Sequence, residues 1–160
     1  MISKTFLHKY KPIHLEDFYL EENIYNMLQL FIEINCINVL LIGNTSSGKT
    51  SILNAIIRKY YALNNGESFP KSNVLIVNNL KEQGIQYFRG EMKTFCQSKS
   101  TIFGKKKLLI IDDIDNVNDH CQQVFRNYID KYGSNINFIA TCTNSHKVIE
   151  SIQSRIHMLK

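Results

Sequence analysis

Four short apolar runs punctuate the chain, at residues 39–42, 74–77, 108–111 and 138–140. Each is rich in Ile, Val or Leu and bounded by polar residues, the pattern of strands buried on both faces of a parallel sheet. Between them, apolar positions recur at helical spacing. Residues 22–34 place Ile24, Met27, Leu28, Phe31 and Ile32 on one face, and residues 50–61 do the same with Ile52, Ala55, Ile56 and Tyr60. Ile85, Phe88, Met92 and Phe95 mark a third helix over 84–96; Cys121, Val124, Phe125, Tyr128 and Ile129 mark a fourth over 120–132. Strand alternating with helix predicts a three-layer α/β domain. Loops are expected at 64–72, 98–106 and 133–135, and a last short strand at 156–159. An apolar strand at the last residues reads as part of a longer protein.

Composition changes this picture little. A chain of 160 residues fits one domain, and 44% hydrophobic with 21% charged residues is ordinary for a soluble globular protein. No apolar run approaches the roughly 20 residues of a membrane span. The N-terminus shows no secretory signal, so an intracellular protein with no membrane partner is expected. Cys36, Cys96, Cys121 and Cys142 are isolated in sequence, which predicts reduced thiols rather than a zinc or disulfide framework. The five histidines show no metal-ligand spacing. A net charge of +5 permits an anionic partner such as nucleic acid without requiring one.

The chemistry is concentrated in two places. Gly43-Asn44-Thr45-Ser46-Ser47-Gly48-Lys49-Thr50 matches G-x-x-x-x-G-K-[ST], between a predicted strand and a predicted helix. Glycines let such a loop curl its N–H groups toward phosphate oxygens, and the helix N-terminus adds a favourable dipole. Lys49 is expected to bridge the β- and γ-phosphates of a nucleoside triphosphate and Thr50 to ligate magnesium, with Ser51 completing the nucleotide-binding set. The run 108–111 then delivers Asp112 and Asp113 at a strand's C-terminal end, where α/β proteins keep their ligands. Asp112 would hold the magnesium and Asp113 would face the attacking water.

The order of these motifs resembles the AAA+ ATPase module of clamp loaders, specifically the small subunits of replication factor C, nearly from end to end. Lys9-Tyr10-Lys11-Pro12, followed by Leu15-Glu16-Asp17-Phe18, resembles that family's K-Y-R-P segment beside the adenine, which implies a nucleotide contact for Tyr10, Lys11 and Pro12. Gly84-Ile85 with Arg89 resembles the G-I-x-x-V-R stretch, and Asp112-Asp113-Ile114-Asp115 stands where the family has D-E-A-D. Residues 122–132 resemble the A-Q-x-A-L-R-R segment. Ile152-Gln153-Ser154-Arg155 resembles I-Q-S-R-C, whose arginine acts on the neighbouring subunit's nucleotide.

The resemblance implies a P-loop AAA+ three-layer α/β sandwich with a five-stranded parallel sheet in the order 5-1-4-3-2, residues 1–160 being its nucleotide-binding core. The lid and collar domains are missing from this stretch. It implies an ATPase using ATP and Mg2+, with other clamp-loader subunits in a pentameric hetero-oligomeric ring, a sliding clamp and primer–template DNA as partners. Its place would be the nucleus of a eukaryote, or the replication site in the host of a virus. Lys49 and Asp113 would act in cis and Arg155 in trans. Thr143 or Asn144 would be the polar sensor of the γ-phosphate, the choice between them staying open. Arg89 and Lys93, four apart on one helical face, would meet DNA phosphates.

Some positions depart from the family pattern. Asp113 replaces the family's Glu with a carboxylate one methylene shorter, which implies weak hydrolysis. Gln83 stands where an Arg is frequent, Asn127 replaces the second Arg of the R-R pair, and Ile156 replaces the Cys after Ser-Arg. Two alternatives follow: a structural subunit that binds nucleotide with little hydrolysis, and another AAA+ replication ATPase of the origin-recognition or helicase-loader type.

Overall fold

The computed structural model describes residues 10–77 and 85–160, and for residues 85–89 the backbone only. In chain order the elements are α1 (Glu22–Glu33), β1 (Val39–Ile42), α2 (Lys49–Tyr61), β2 (Val74–Val77), α3 (Ile85–Gln97), β3 (Lys107–Ile111), α4 (Asp119–Tyr132), β4 (Ile136–Cys142), α5 (Glu150–Gln153) and β5 (His157–Leu159). All pairings are parallel, and the strands lie in the order β2-β3-β4-β1-β5, as expected.

Because a parallel strand sends alternate side chains to opposite faces, each apolar run serves two cores. Val39 and Leu41 of β1 join Leu28, Ile56 and Tyr60 from α1 and α2. Leu40 points the other way, into a core built with Met92 of α3, Phe125 of α4 and Ile152 of α5. Asn118 caps α4, its side chain accepting the Cys121 N–H at 2.9 Å.

The helices fall within one residue of the predicted bounds. β4 is longer than the run 138–140, because buried Asn137 and Thr141 sit within the ladder although they interrupt the apolar pattern. The short α5 and 3-10 turns at Leu15–Asp17, Ile114–Asn116 and Ser145–Lys147 carry no apolar periodicity that would announce them.

Strand register sets the functional end of the sheet. Ile42 pairs with Cys142, and Ile111 pairs with Ala140, two residues back along β4. The loops after β1, β3 and β4 therefore leave from one common rim.

Candidate nucleotide-binding site

At that rim the 43–50 loop leaves β1, with the Gly43 N–H donating to the Cys142 carbonyl at 3.2 Å. Gly43 lies so close to the loop's own return that a Cβ there would stand 2.6 Å from Ser47 Oγ. Gly48, with φ at 91°, occupies the left-handed region just before α2. The first helical bond runs from the Ile52 N–H to the Gly48 carbonyl at 2.9 Å, so the N–H groups preceding it crown an open helix N-terminus. Asn44, Thr45, Ser46, Ser47 and Thr50 are exposed, Ser51 half-buried. The Lys49 ammonium folds back into the loop, donating to the carbonyls of Gly43 at 2.9 Å and Asn44 at 2.8 Å. Both acceptors are neutral, so an anion entering the loop offers this ammonium a stronger partner.

Two strands away, Asp112 leaves β3 with its N–H on the Val77 carbonyl at 3.3 Å. Thr141, fully buried on the intervening strand β4, donates its hydroxyl to Asp112 Oδ1 at 2.5 Å and accepts the Asp113 N–H at 2.9 Å. Thr141 was not anticipated from sequence; its signal was a polar residue near the end of a buried strand. Asp113 adopts a left-handed conformation with φ at 51° and ψ at 54°, at the start of the turn Ile114–Asn116. Burial, then Asp112 and Asp115, raise its carboxyl above the ordinary aspartate range, against an opposing pull from Lys49.

Thr143 and Asn144 follow β4 on the same rim. Their N–H groups both donate to Asp115 Oδ2, at 3.1 and 3.0 Å. Asn144 accepts the His146 N–H on its side-chain oxygen at 3.0 Å, whereas among the described residues the exposed Thr143 hydroxyl is bonded to nothing.

Beside the loop lies a cavity of about 280 Å³ walled by Leu20, Ile24, Leu28, Ile52 and Leu159, with Gly43, Ser47 and Lys49 at its edge. Its apolar walls suit a planar base next to the phosphate cradle. Tyr10, Lys11 and Pro12 do not line it; they border a separate cavity of about 520 Å³ with His14, Asp17 and Asn65.

Arg155 stands at the opposite end of the sheet. It precedes β5, whose His157 is level with Val39 at the start of β1, whereas the loop leaves β1 after Ile42. At about 3.3 Å per residue, some 10 Å of strand separates the two ends. The guanidinium donates from Nε to Asp130 Oδ1 of α4 at 2.6 Å and from a terminal nitrogen to the Ser151 carbonyl at 2.6 Å. Lys93 is exposed on α3; the side chain of Arg89 lies outside the described residues, as does Gln83.

The sequence profile of the AAA domain family matches residues 37–157, a span that holds the loop, both aspartates and Arg155. The chain belongs to the AAA domain family. This AAA domain is 30% identical over 160 residues to replication factor C subunit 2 of Arabidopsis thaliana, covering 99% of the chain and 46% of that relative. It is 30% identical over 148 residues to replication factor C subunit 3 of Schizosaccharomyces pombe (92% and 42%) and to the replication factor C small subunit of Methanosphaera stadtmanae (92% and 44%). The chain thus spans less than half the length of these relatives. Among solved structures it is similar to the Thermotoga maritima RuvB Holliday junction branch migration motor, at a TM-score of 0.68 and 18% identity over 93% of this chain and 47% of that one. A DNA polymerase III gamma subunit-related protein of T. maritima gives 0.64 at 18% identity, over 84% and 44%. At these identities the two structures establish the fold. No helix among the described residues is long and apolar enough to cross a membrane.

Proposed function

We propose that this AAA domain binds and hydrolyses ATP as part of a small subunit of a DNA sliding-clamp loader, coupling turnover to placement of the clamp on primer–template DNA. The observation that carries the reading is the division of the hydrolytic groups between two ends of one sheet. Lys49, Asp112 and Asp113 share the rim, while Arg155 lies at the far end, bonded to Asp130 and the Ser151 carbonyl. Such a division suits a ring in which each subunit completes its neighbour's site, and the similarity to replication factor C subunits supports the choice of ring.

In this mechanism Lys49 leaves the Gly43 and Asn44 carbonyls for the β- and γ-phosphates. Thr50 and Asp112 would hold Mg2+. The rim suits that ion in charge: beyond burial, Asp112 raises the neighbouring Asp113 carboxyl, a repulsion that a divalent cation would relieve, and Thr50 is exposed. Mg2+ typically takes one or two carboxylates and fills its shell with phosphate oxygens and water. When bound, it neutralises phosphate charge and draws electrons from the transferring phosphoryl group. Asp113 orients the attacking water and accepts its proton, giving ADP and inorganic phosphate. Thr143 or Asn144 contacts the γ-phosphate, Thr143 having the uncommitted side chain. Arg155 of an adjacent subunit exchanges Asp130 for the charge that develops on the phosphoryl oxygens. By the resemblance Lys93 and Arg89 would serve as DNA-phosphate contacts, and the work takes place at a replication site, nuclear in a eukaryotic cell.

A second reading, a subunit that binds nucleotide with little hydrolysis, is favoured by the short carboxylate of Asp113. Both are tested by isolating the complex through a tag on the complete subunit and measuring ATP turnover with and without clamp and primed DNA. Stimulation by both together is expected. Turnover indifferent to clamp and DNA sinks the clamp-loader reading, and tight ATP binding without turnover selects the second.

A further inference from the structure

Asp115 is the one carboxylate of the rim to which the mechanism above gives no task. It sits in the turn Ile114–Asn116, directly after the Asp112–Asp113 pair, and its bonds leave that turn for the far side of β4. One oxygen, Oδ2, accepts two consecutive backbone N–H groups, those of Thr143 at 3.1 Å and Asn144 at 3.0 Å. Its other oxygen, Oδ1, is buried and has no hydrogen-bond partner.

We infer that Asp115 is a positioning residue: its carboxylate fixes the segment 143–144 against the turn that carries Asp113, so the sensor and the water-orienting carboxylate are held in one spatial relationship. This rests on the hydrolytic reading proposed above.

Three observations support the assignment. The Thr143 and Asn144 N–H groups lie past the end of β4 at Cys142, where the ladder no longer holds the chain, and Asp115 supplies the acceptor that strand pairing cannot. Two N–H groups converging on a single oxygen fix both the position and the direction of the segment. The unmatched Oδ1 argues against a purely stabilising purpose, since a buried oxygen without a donor costs stability. A carboxylate that carries that cost three residues from Asp112 fits a residue whose contribution is the geometry it imposes.

Asp113 is also tied to the sheet through the Thr141 hydroxyl, so the link through Asp115 connects the exposed Thr143 and Asn144 to a turn that is itself anchored. Without Asp115 the exposed segment loses both of these hydrogen bonds to the Asp113 turn, while the loop at 43–50 keeps all of its own bonds. Nucleotide affinity and turnover should therefore separate.

The test uses Asp115→Ala and Asp115→Asn in the complete subunit within its complex, with three readouts: affinity for a fluorescent ATP analogue, turnover, and backbone amide exchange at Thr143 and Asn144. Asp115→Ala is expected to keep nucleotide affinity, to speed exchange of both amides, and to lower turnover about a hundredfold, the penalty for displacement on the order of 1 Å. Asp115→Asn retains one acceptor oxygen and should restore both amide protection and most of the turnover. Undiminished turnover in Asp115→Ala overturns the inference, as does equal loss of affinity, turnover and melting temperature, which would mark a merely structural role. Should the unaltered complex bind ATP without hydrolysing it, the hydrolytic reading fails; amide exchange then still decides whether Asp115 holds the segment, and unchanged exchange in Asp115→Ala refutes that too.

Discussion

The hydroxyl of Thr141 donates to Asp112 Oδ1 at 2.5 Å from a fully buried position on the strand between β3 and β1. The Thr141 hydroxyl oxygen in turn accepts the Asp113 N–H at 2.9 Å, so one small side chain orients both acidic residues of the rim. Thr141→Val, nearly isosteric, removes both bonds and strands a partly buried N–H. A loss of about 1–3 kcal/mol is expected in denaturant unfolding, together with reduced turnover. Thr141→Ser keeps the hydroxyl and should retain most of both. Equal behaviour of the two variants would show that the hydroxyl does not matter.

Asp113 gives a stability prediction with a definite sign. Its folded-state carboxyl is raised, first by burial and then by Asp112 and Asp115, so ionisation opposes folding. That penalty is complete above the folded-state value and disappears as pH falls through it toward the unfolded value near 4. Asp113→Asn should raise the melting temperature at pH 7, with the gain shrinking on acidification, while turnover collapses. A melting temperature lowered at pH 7 contradicts the electrostatic account.

Asp113 holds a left-handed backbone conformation, with φ at 51°. A left-handed conformation is tolerated by Asp and Asn better than by most other residues. Asp113→Glu should therefore lower the melting temperature yet raise turnover, by up to about a hundredfold if the shorter carboxylate sits about 1 Å from its best position. Steady-state turnover and thermal melts on the same samples measure both.

Arg155 and Asp130 form an exposed pair whose loss should change stability by less than about 1 kcal/mol. Their effects on turnover should differ sharply. In the assembled complex Arg155→Ala is expected to cost about 10³-fold or more, as loss of an arginine supplied in trans does. Asp130→Asn frees the guanidinium and should leave turnover intact or faster. Mixing Arg155→Ala with Lys49→Ala subunits locates the two groups on different chains when only mixed interfaces recover activity.

None of the four cysteines forms a disulfide, and only Cys36 of the four is exposed. Burial pushes the Cys96 thiol up to about 12 and Cys142 up to about 11, leaving little thiolate at neutral pH. A thiol-reactive reagent should label Cys36 in the native protein and the other three only on unfolding, as peptide mapping would show.

The sheet was legible because a strand buried on both faces must be continuously apolar, as Val39 to Ile42 and Leu108 to Ile111 are. The loop was legible because its chemistry is local: Gly43, Gly48, Lys49 and Thr50 act through backbone adjacent to them. What stayed hidden depends on contacts between distant segments. Thr141 gains meaning only when β4 lies between Asp112 and the 43–50 loop. Asp130 is unremarked in sequence until α4 brings it to Arg155. Leu20, Ile24 and Leu159 were readable as apolar, but no local pattern tells that they wall a cavity beside Lys49. Tyr10, Lys11 and Pro12 illustrate the converse, since a matching segment does not by itself say which cavity it borders.

The position of Arg155 at one end of the sheet and the 43–50 loop at the other also gives the subunit a direction. Contacts that join one copy's donor end to the next copy's acceptor end are head-to-tail and repeat without a twofold axis. In an open row of such units, one terminal copy offers an arginine to nothing and the other holds a nucleotide that no arginine reaches. If the proposed ring is split, its finished sites would number one fewer than its competent subunits, and the gap would be marked chemically by the site left incomplete.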